Sequence, residues 1–88
     1  MKKGEAMIEI TLRLSESLLC ILRDANNPKE ERLSLRVERG TSVGEILAME
    51  KIPPLLVPMI SVGEERGELA TALERDETIT LIGPLAGG

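Results

Sequence analysis

Thr78-Ile79-Thr80-Leu81-Ile82-Gly83-Pro84-Leu85-Ala86-Gly87-Gly88 closes the chain. Its first half, Thr78 to Ile82, is a strand-like run. Its second half is a tail of small residues that finishes on a glycine carboxylate. Glycine lacks a Cβ, so two in succession pass through a narrow tunnel and take backbone angles closed to other residues. Two readings of the ending stand at this point. One is a working tail that presents its carboxylate; the other is a frayed terminus, the ordinary condition of chain ends.

The opposite end answers the last strand. From Met7 to Leu14 the chain alternates, with Ile8, Ile10, Leu12 and Leu14 on one side and Glu9, Thr11 and Arg13 on the other. This is the period of a half-buried strand. After Ser15-Glu16-Ser17 the spacing of Leu18, Leu19, Ile21 and Leu22 changes to three and four, which predicts a short helix closing near Asn26-Asn27-Pro28. A second alternating strand places Leu33, Leu35 and Val37 inward. Arg39-Gly40 turns the chain, and Ser42 with Glu45 three residues on has the spacing of a capping box. The helix it opens buries Val43, Ile46 and Leu47, with Met49 at the edge, and is expected to end at Pro53-Pro54. Met59 to Val62 reads as a third strand, Gly63 to Gly67 as a turn, and Leu69 to Leu73 as a short helical or irregular segment.

The first and last strands are the most apolar, so they are expected side by side in the centre of one sheet. With a helix packed on one face, this is an α+β fold of β-grasp, or ubiquitin-like, topology: a mixed sheet of four to five strands and one main helix. Residues 1–82 form the expected domain and residues 83–88 a flexible tail.

Composition limits what the domain does. The 88 residues carry a net charge of −4, with 42% apolar and 30% charged side chains, and contain no Phe, Tyr, Trp or His and one Cys. An acidic chain without aromatic rings lacks both the positive surface and the stacking platform that nucleic-acid binding uses. One Cys and no His remove most zinc, haem and iron–sulfur arrangements and the Ser-His and Cys-His nucleophile pairs. No metal site is expected. No stretch has the length of a signal peptide's apolar region or of a membrane span, so no membrane role is expected and the cytoplasm is the expected location.

Several segments resemble the ubiquitin-like sulfur carrier proteins, notably the small subunit of molybdopterin synthase; the thiamine sulfur carrier is also similar. Ile8 to Leu14 resembles the family's first strand, and Gly40-Thr41-Ser42-Val43-Gly44-Glu45-Ile46-Leu47 its turn into the main helix. Met59-Ile60-Ser61-Val62-Gly63 and Leu73 to Ile82 are similar to its later strands, and Gly83-Pro84-Leu85-Ala86-Gly87-Gly88 is very close to the molybdopterin-type ending. The chain departs from the family in lacking aromatic residues around the first strand and in having Val62-Gly63-Glu64 where Asn-Gly is usual.

The resemblance implies that the Gly88 carboxylate is the reacting group. It implies an adenylating enzyme that uses ATP, a sulfur donor that converts the acyl-adenylate to a thiocarboxylate, and a large subunit of molybdopterin synthase, or an equivalent acceptor enzyme, that receives the sulfur. No cofactor is implied on the chain itself, which acts as a co-substrate subunit. Gly83, Pro84, Leu85, Ala86 and Gly87 form the partner-binding tail. Extended, residues 83–88 span about 20 Å at roughly 3.3 Å per residue; Pro84 fixes one φ, and Leu85 is available to an apolar pocket. A carrier for thiamine thiazole or another product, a modifier joined to lysine side chains, and a plain interaction module remain open alternatives.

Four further features carry expectations. Cys20 is expected as a small buried residue of the short helix. The acidic runs at Glu64-Glu65 and from Glu74 to Glu77 are either a solvated surface or a docking patch for a basic partner. Pro53-Pro54-Leu55-Leu56-Val57-Pro58 is either a buried crossover or exposed apolar area for an interface. Lys2 and Lys3 belong to a frayed start.

Overall fold

Alternation in the sequence becomes alternation in burial. In the computed structural model, which describes residues 6–84, strand β1 (Met7–Leu14) buries Ile8, Ile10, Leu12 and Leu14 and leaves Glu9 and Arg13 exposed. Helix α1 (Glu16–Asp24), strand β2 (Arg32–Glu38), helix α2 (Val43–Met49), a 3-10 turn at Pro54–Leu56, and strands β3 (Met59–Val62), β4 (Glu65–Gly67) and β5 (Glu77–Ile82) follow. The sheet order is β2-β1-β5-β3-β4. The first and last strands do pair at its centre, in parallel, with Leu12 beside Ile79 and Leu14 beside Leu81. The remaining pairings are antiparallel. The expected α+β β-grasp topology is the observed one.

One core joins the inner sheet face to both helices. Ile10, Leu12, Ile79 and Leu81 from the strands meet Leu18 and Leu22 of α1, Val43, Ile46 and Leu47 of α2, and Ile52 and Leu73 from the connections. Among the described residues no polar or charged side chain is buried, so this aliphatic core holds without a polar network. The two helices are of similar length, nine and seven residues.

Local chemistry explains where each helix begins and ends. Ser42 Oγ accepts from Glu45 N at 3.2 Å, and Glu45 Oε1 accepts from Ser42 N at 2.9 Å, which completes the expected capping box. The next two amides at the start of α2 find carbonyls in the segment 69–73: Val43 N donates to Thr71 O and Gly44 N to Leu69 O. That segment is irregular, and its backbone seals the helix start.

The far end of α2 differs from expectation. The helix stops at Met49, four residues before Pro53, because Lys51 adopts φ 59°. Lys51 N donates to Ala48 O and Ile52 N to Leu47 O, the paired bonds of a Schellman motif, and buried Ile52 packs behind them. Helix α1 closes in the same way through Asn26 (φ 64°), with Asn26 N bonded to Arg23 O and Asn27 N to Leu22 O. The Asn27 side-chain amide then donates to the carbonyls of Glu50 and Lys51, and Lys29 Nζ lies 2.7 Å from Glu50 Oε1, so the two helix ends are tied together.

The segment 63–67 also differs. Only Gly63-Glu64 turns. With φ +64° at Gly63 the chain reverses in two residues, the geometry of a type II′ hairpin, and Glu65–Gly67 returns along β3 as β4.

Candidate functional site

Strand β5 delivers the tail. It lies between β1 and β3, and its inner residues Ile79 and Leu81 are fully buried, so its C-terminal end is fixed by the whole sheet. Because β1 and β5 run parallel, both finish at the same end of the sheet, and Ser15, just after β1, meets the start of the tail. Ser15 N donates to Leu81 O at 3.0 Å. Ser15 Oγ accepts from Gly83 N at 2.9 Å and from Leu18 N at 3.3 Å, the second bond being the N-cap of α1. Ser17 Oγ lies 3.2 Å away. Two acceptor sites and one O–H therefore all have partners.

Gly83 is buried, and its φ lies outside the left-handed region. What demands glycine there is proximity. A Cβ would stand 2.9 Å from Leu18 N and 3.0 Å from both Leu18 Cα and Leu18 Cβ. Pro84 is half-buried. Of the residues the sequence marks as the site, Gly83 and Pro84 are placed here; Leu85, Ala86, Gly87 and Gly88 lie outside the described residues. Sequence reasoning missed Ser15 as a partner of the tail. The available clue was the pairing of the first and last strands, which carries the residue after Leu14 to the residues after Leu81.

The sheet face turned away from the helices carries a row read directly from the register: Arg32, Arg13, Thr80, Ser61 and Arg66. The three arginines are exposed and form no ion pair with another described residue. In the next row Met59 stands beside Ile82, immediately before the tail, and Met59 is 47% exposed.

Other candidates resolve plainly. Cys20 is exposed, which corrects the expectation of burial, and Arg23 Nη2 lies 3.5 Å from its sulfur. On α1 it stands two residues from both Leu18 and Leu22, about 200° around the helix from each, so the face that buries them turns Cys20 outward. The acidic side chains are partly occupied: Asp76 Oδ1 accepts from Glu9 N, Glu77 pairs with Arg75 at 3.2 Å, and Glu74 lies 3.8 Å from Arg39. The proline-rich crossover does both things expected of it, burying Val57 while Leu55 stands 93% exposed. Among the described residues no helix is long and apolar enough to cross a membrane.

The class that this architecture defines is the ubiquitin-like β-grasp fold, and solved structures share it. SAMP1 from Haloferax volcanii superposes with a TM-score of 0.65 at 17% identity, over 91% of this chain and 99% of that one. A Pyrococcus furiosus protein described as molybdopterin converting factor, subunit 1, gives 0.62 at 9% identity, over 89% and 99%. The ubiquitin of Caldiarchaeum subterraneum gives 0.57 at 18% identity, over 93% and 99%. At these identities the likeness is one of fold. No protein-family model and no curated protein matches the chain.

Proposed function

We propose that this chain is a ubiquitin-like sulfur carrier whose Gly88 carboxylate is adenylated, converted to a thiocarboxylate, and used to supply sulfur in molybdopterin biosynthesis. The observation that carries the reading is the position of the tail. A β-grasp body holds the Gly83-Pro84 root at the end of its central strand, and the sequence continues as Leu85-Ala86-Gly87-Gly88. A structural neighbour described as molybdopterin converting factor, subunit 1, supports the same reading.

The chemistry follows from the weakness of a carboxylate as an electrophile. A Gly88 oxygen attacks the α-phosphorus of ATP on a partner adenylating enzyme, and pyrophosphate leaves. A persulfide sulfur donor then attacks the acyl carbon of the mixed anhydride with its terminal sulfur and AMP leaves. A thiol then reduces the S–S bond of the resulting acyl disulfide, which frees the thiocarboxylate and leaves the donor's other sulfur in a disulfide with that thiol. The carried sulfur is a soft nucleophile on a thin tether. The acceptor enzyme, of the molybdopterin synthase large-subunit kind, supplies the substrate pocket, and the partly exposed Met59–Ile82 pair beside the tail root offers it apolar surface. A cytoplasmic reaction, where ATP is supplied, is part of this reading.

The test is intact-mass measurement of the chain purified from its own host. A population heavier by the exchange of one carboxyl oxygen for sulfur is expected; its absence under active cofactor synthesis refutes the proposal. A second reading, a modifier joined to lysines, has a specific support in neighbours described as small archaeal modifier protein 1. It predicts glycine-linked adducts on other proteins in a proteolytic digest.

A further inference from the structure

We propose that Ser15 is a positioning residue for tail activation: its hydroxyl pins Gly83 to the first turn of α1, so that the tail departs from a fixed pivot where the two central strands end. This inference rests on the carrier reading. Three observations converge on it. Gly83 N and Leu18 N share one acceptor, Ser15 Oγ, at 2.9 and 3.3 Å. Ser15 N donates at 3.0 Å to the carbonyl of Leu81, the last residue of β5 with a buried side chain. Gly83 comes so close to Leu18 that no side chain fits between them. Helix capping alone explains only the Leu18 bond. A serine that caps a helix has no need to receive a tail amide 68 residues away in sequence.

The pivot has a mechanical consequence. With Gly83 held, only Pro84 to Gly88 are left to reach, which is about 16 Å rather than about 20 Å. A shorter tether from a fixed origin restricts the directions open to the carboxylate and lowers the entropy lost when a partner draws it into a pocket. The body docks without help from Ser15. What the hydroxyl controls is how often a docked chain presents its terminus, so its loss is read in the maximal rate and not in half-saturation.

The experiment compares Ser15→Ala, Ser15→Thr, Gly83→Ala and Ser42→Ala with the natural chain. Ser42→Ala removes the other helix cap, which follows the end of β2 that pairs with the start of β1 and so lies at the opposite end of the sheet from Ser15, and serves as the control for loss of a cap. Each protein is incubated with a clarified extract of its own host supplied with ATP, and thiocarboxylate formation is followed by intact mass over a range of carrier concentrations. Amide exchange at Gly83 is measured in parallel. A net hydrogen bond of typical strength corresponds to about five-fold. We expect Ser15→Ala to exchange at Gly83 and to lose maximal rate by about that factor with half-saturation unchanged. Gly83→Ala should fall similarly, Ser15→Thr should keep the rate, and Ser42→Ala should match the natural chain below its melting range. Equal maximal rates for Ser15→Ala and the natural chain, or the same loss in Ser42→Ala, overturns the positioning role alone. A natural chain that takes no sulfur overturns the carrier reading, and the positioning role with it.

Discussion

Lys51 offers a direct measurement of what ends α2. It sits at φ 59° without a glycine's freedom, in a position that the Schellman motif reserves for a left-handed residue. For an L-residue with a Cβ this conformation costs roughly 1–2 kcal/mol. Replacing it by glycine removes that cost but adds about 0.5–1 kcal/mol of backbone entropy lost on folding. It also removes a positive charge near a helix C-terminus, a favourable interaction of a few tenths of a kcal/mol at an exposed site. The clean comparison is therefore Lys51→Gly against Lys51→Ala, which lose the same charge. Lys51 is exposed, and its amide and carbonyl bonds to Ala48 and Asn27 are backbone interactions that both variants keep. The glycine variant should be the more stable of the two by about 1 kcal/mol, which is roughly 4–8 °C in a domain of this size. Urea unfolding followed by far-ultraviolet circular dichroism gives the difference at constant m. Equal midpoints, or a less stable glycine variant, would refute the claim that the left-handed residue, and not Pro53, terminates the helix.

Glu50→Ala should cost about 1–2 kcal/mol by urea unfolding, because it strands a Lys29 ammonium whose side chain is only 16% exposed; the double substitution to methionine should cost less. Cys20 should react fully with a thiol reagent in the native protein, one thiol per chain; a reaction that waits for denaturant would contradict its exposure. Gly88→Ala should cut thiocarboxylate formation sharply with no change in melting temperature, and residues added after Gly88 should block it, since the reacting group becomes an internal amide. Full activity in an unprocessed extended chain would remove Gly88 from the chemistry.

The features that were legible in the sequence are those written in apolar periodicity. The expected span of β1 was Met7 to Leu14, which is also the observed one, because its alternation is uninterrupted. The capping box was readable because both of its partners lie within four residues. Strand β4 was not readable. Glu65-Arg66-Gly67 carries no apolar alternation, and its pairing is imposed by the two-residue turn and the free edge of β3. The early stop of α2 depends on one backbone angle at a lysine, a residue that ordinarily continues a helix. The outward turn of Cys20 was deducible from its angular distance to Leu18 and Leu22. At the site, the tail was conspicuous in composition, yet its anchor was not, since Ser15 and Gly83 are neighbours only through the sheet.

The parallel pairing of β1 with β5 also sets a timetable. The centre of the sheet is made from two strands more than sixty residues apart in the sequence, so β1 and β3 each wait with an open edge until residues 77–82 have left the ribosome. Any chain truncated before that point keeps one unpaired edge on each of β1 and β3 and is open to aggregation or degradation. Biosynthesis is thereby proofread by geometry: a polypeptide earns a stable body only after it has produced the strand from which its tail departs.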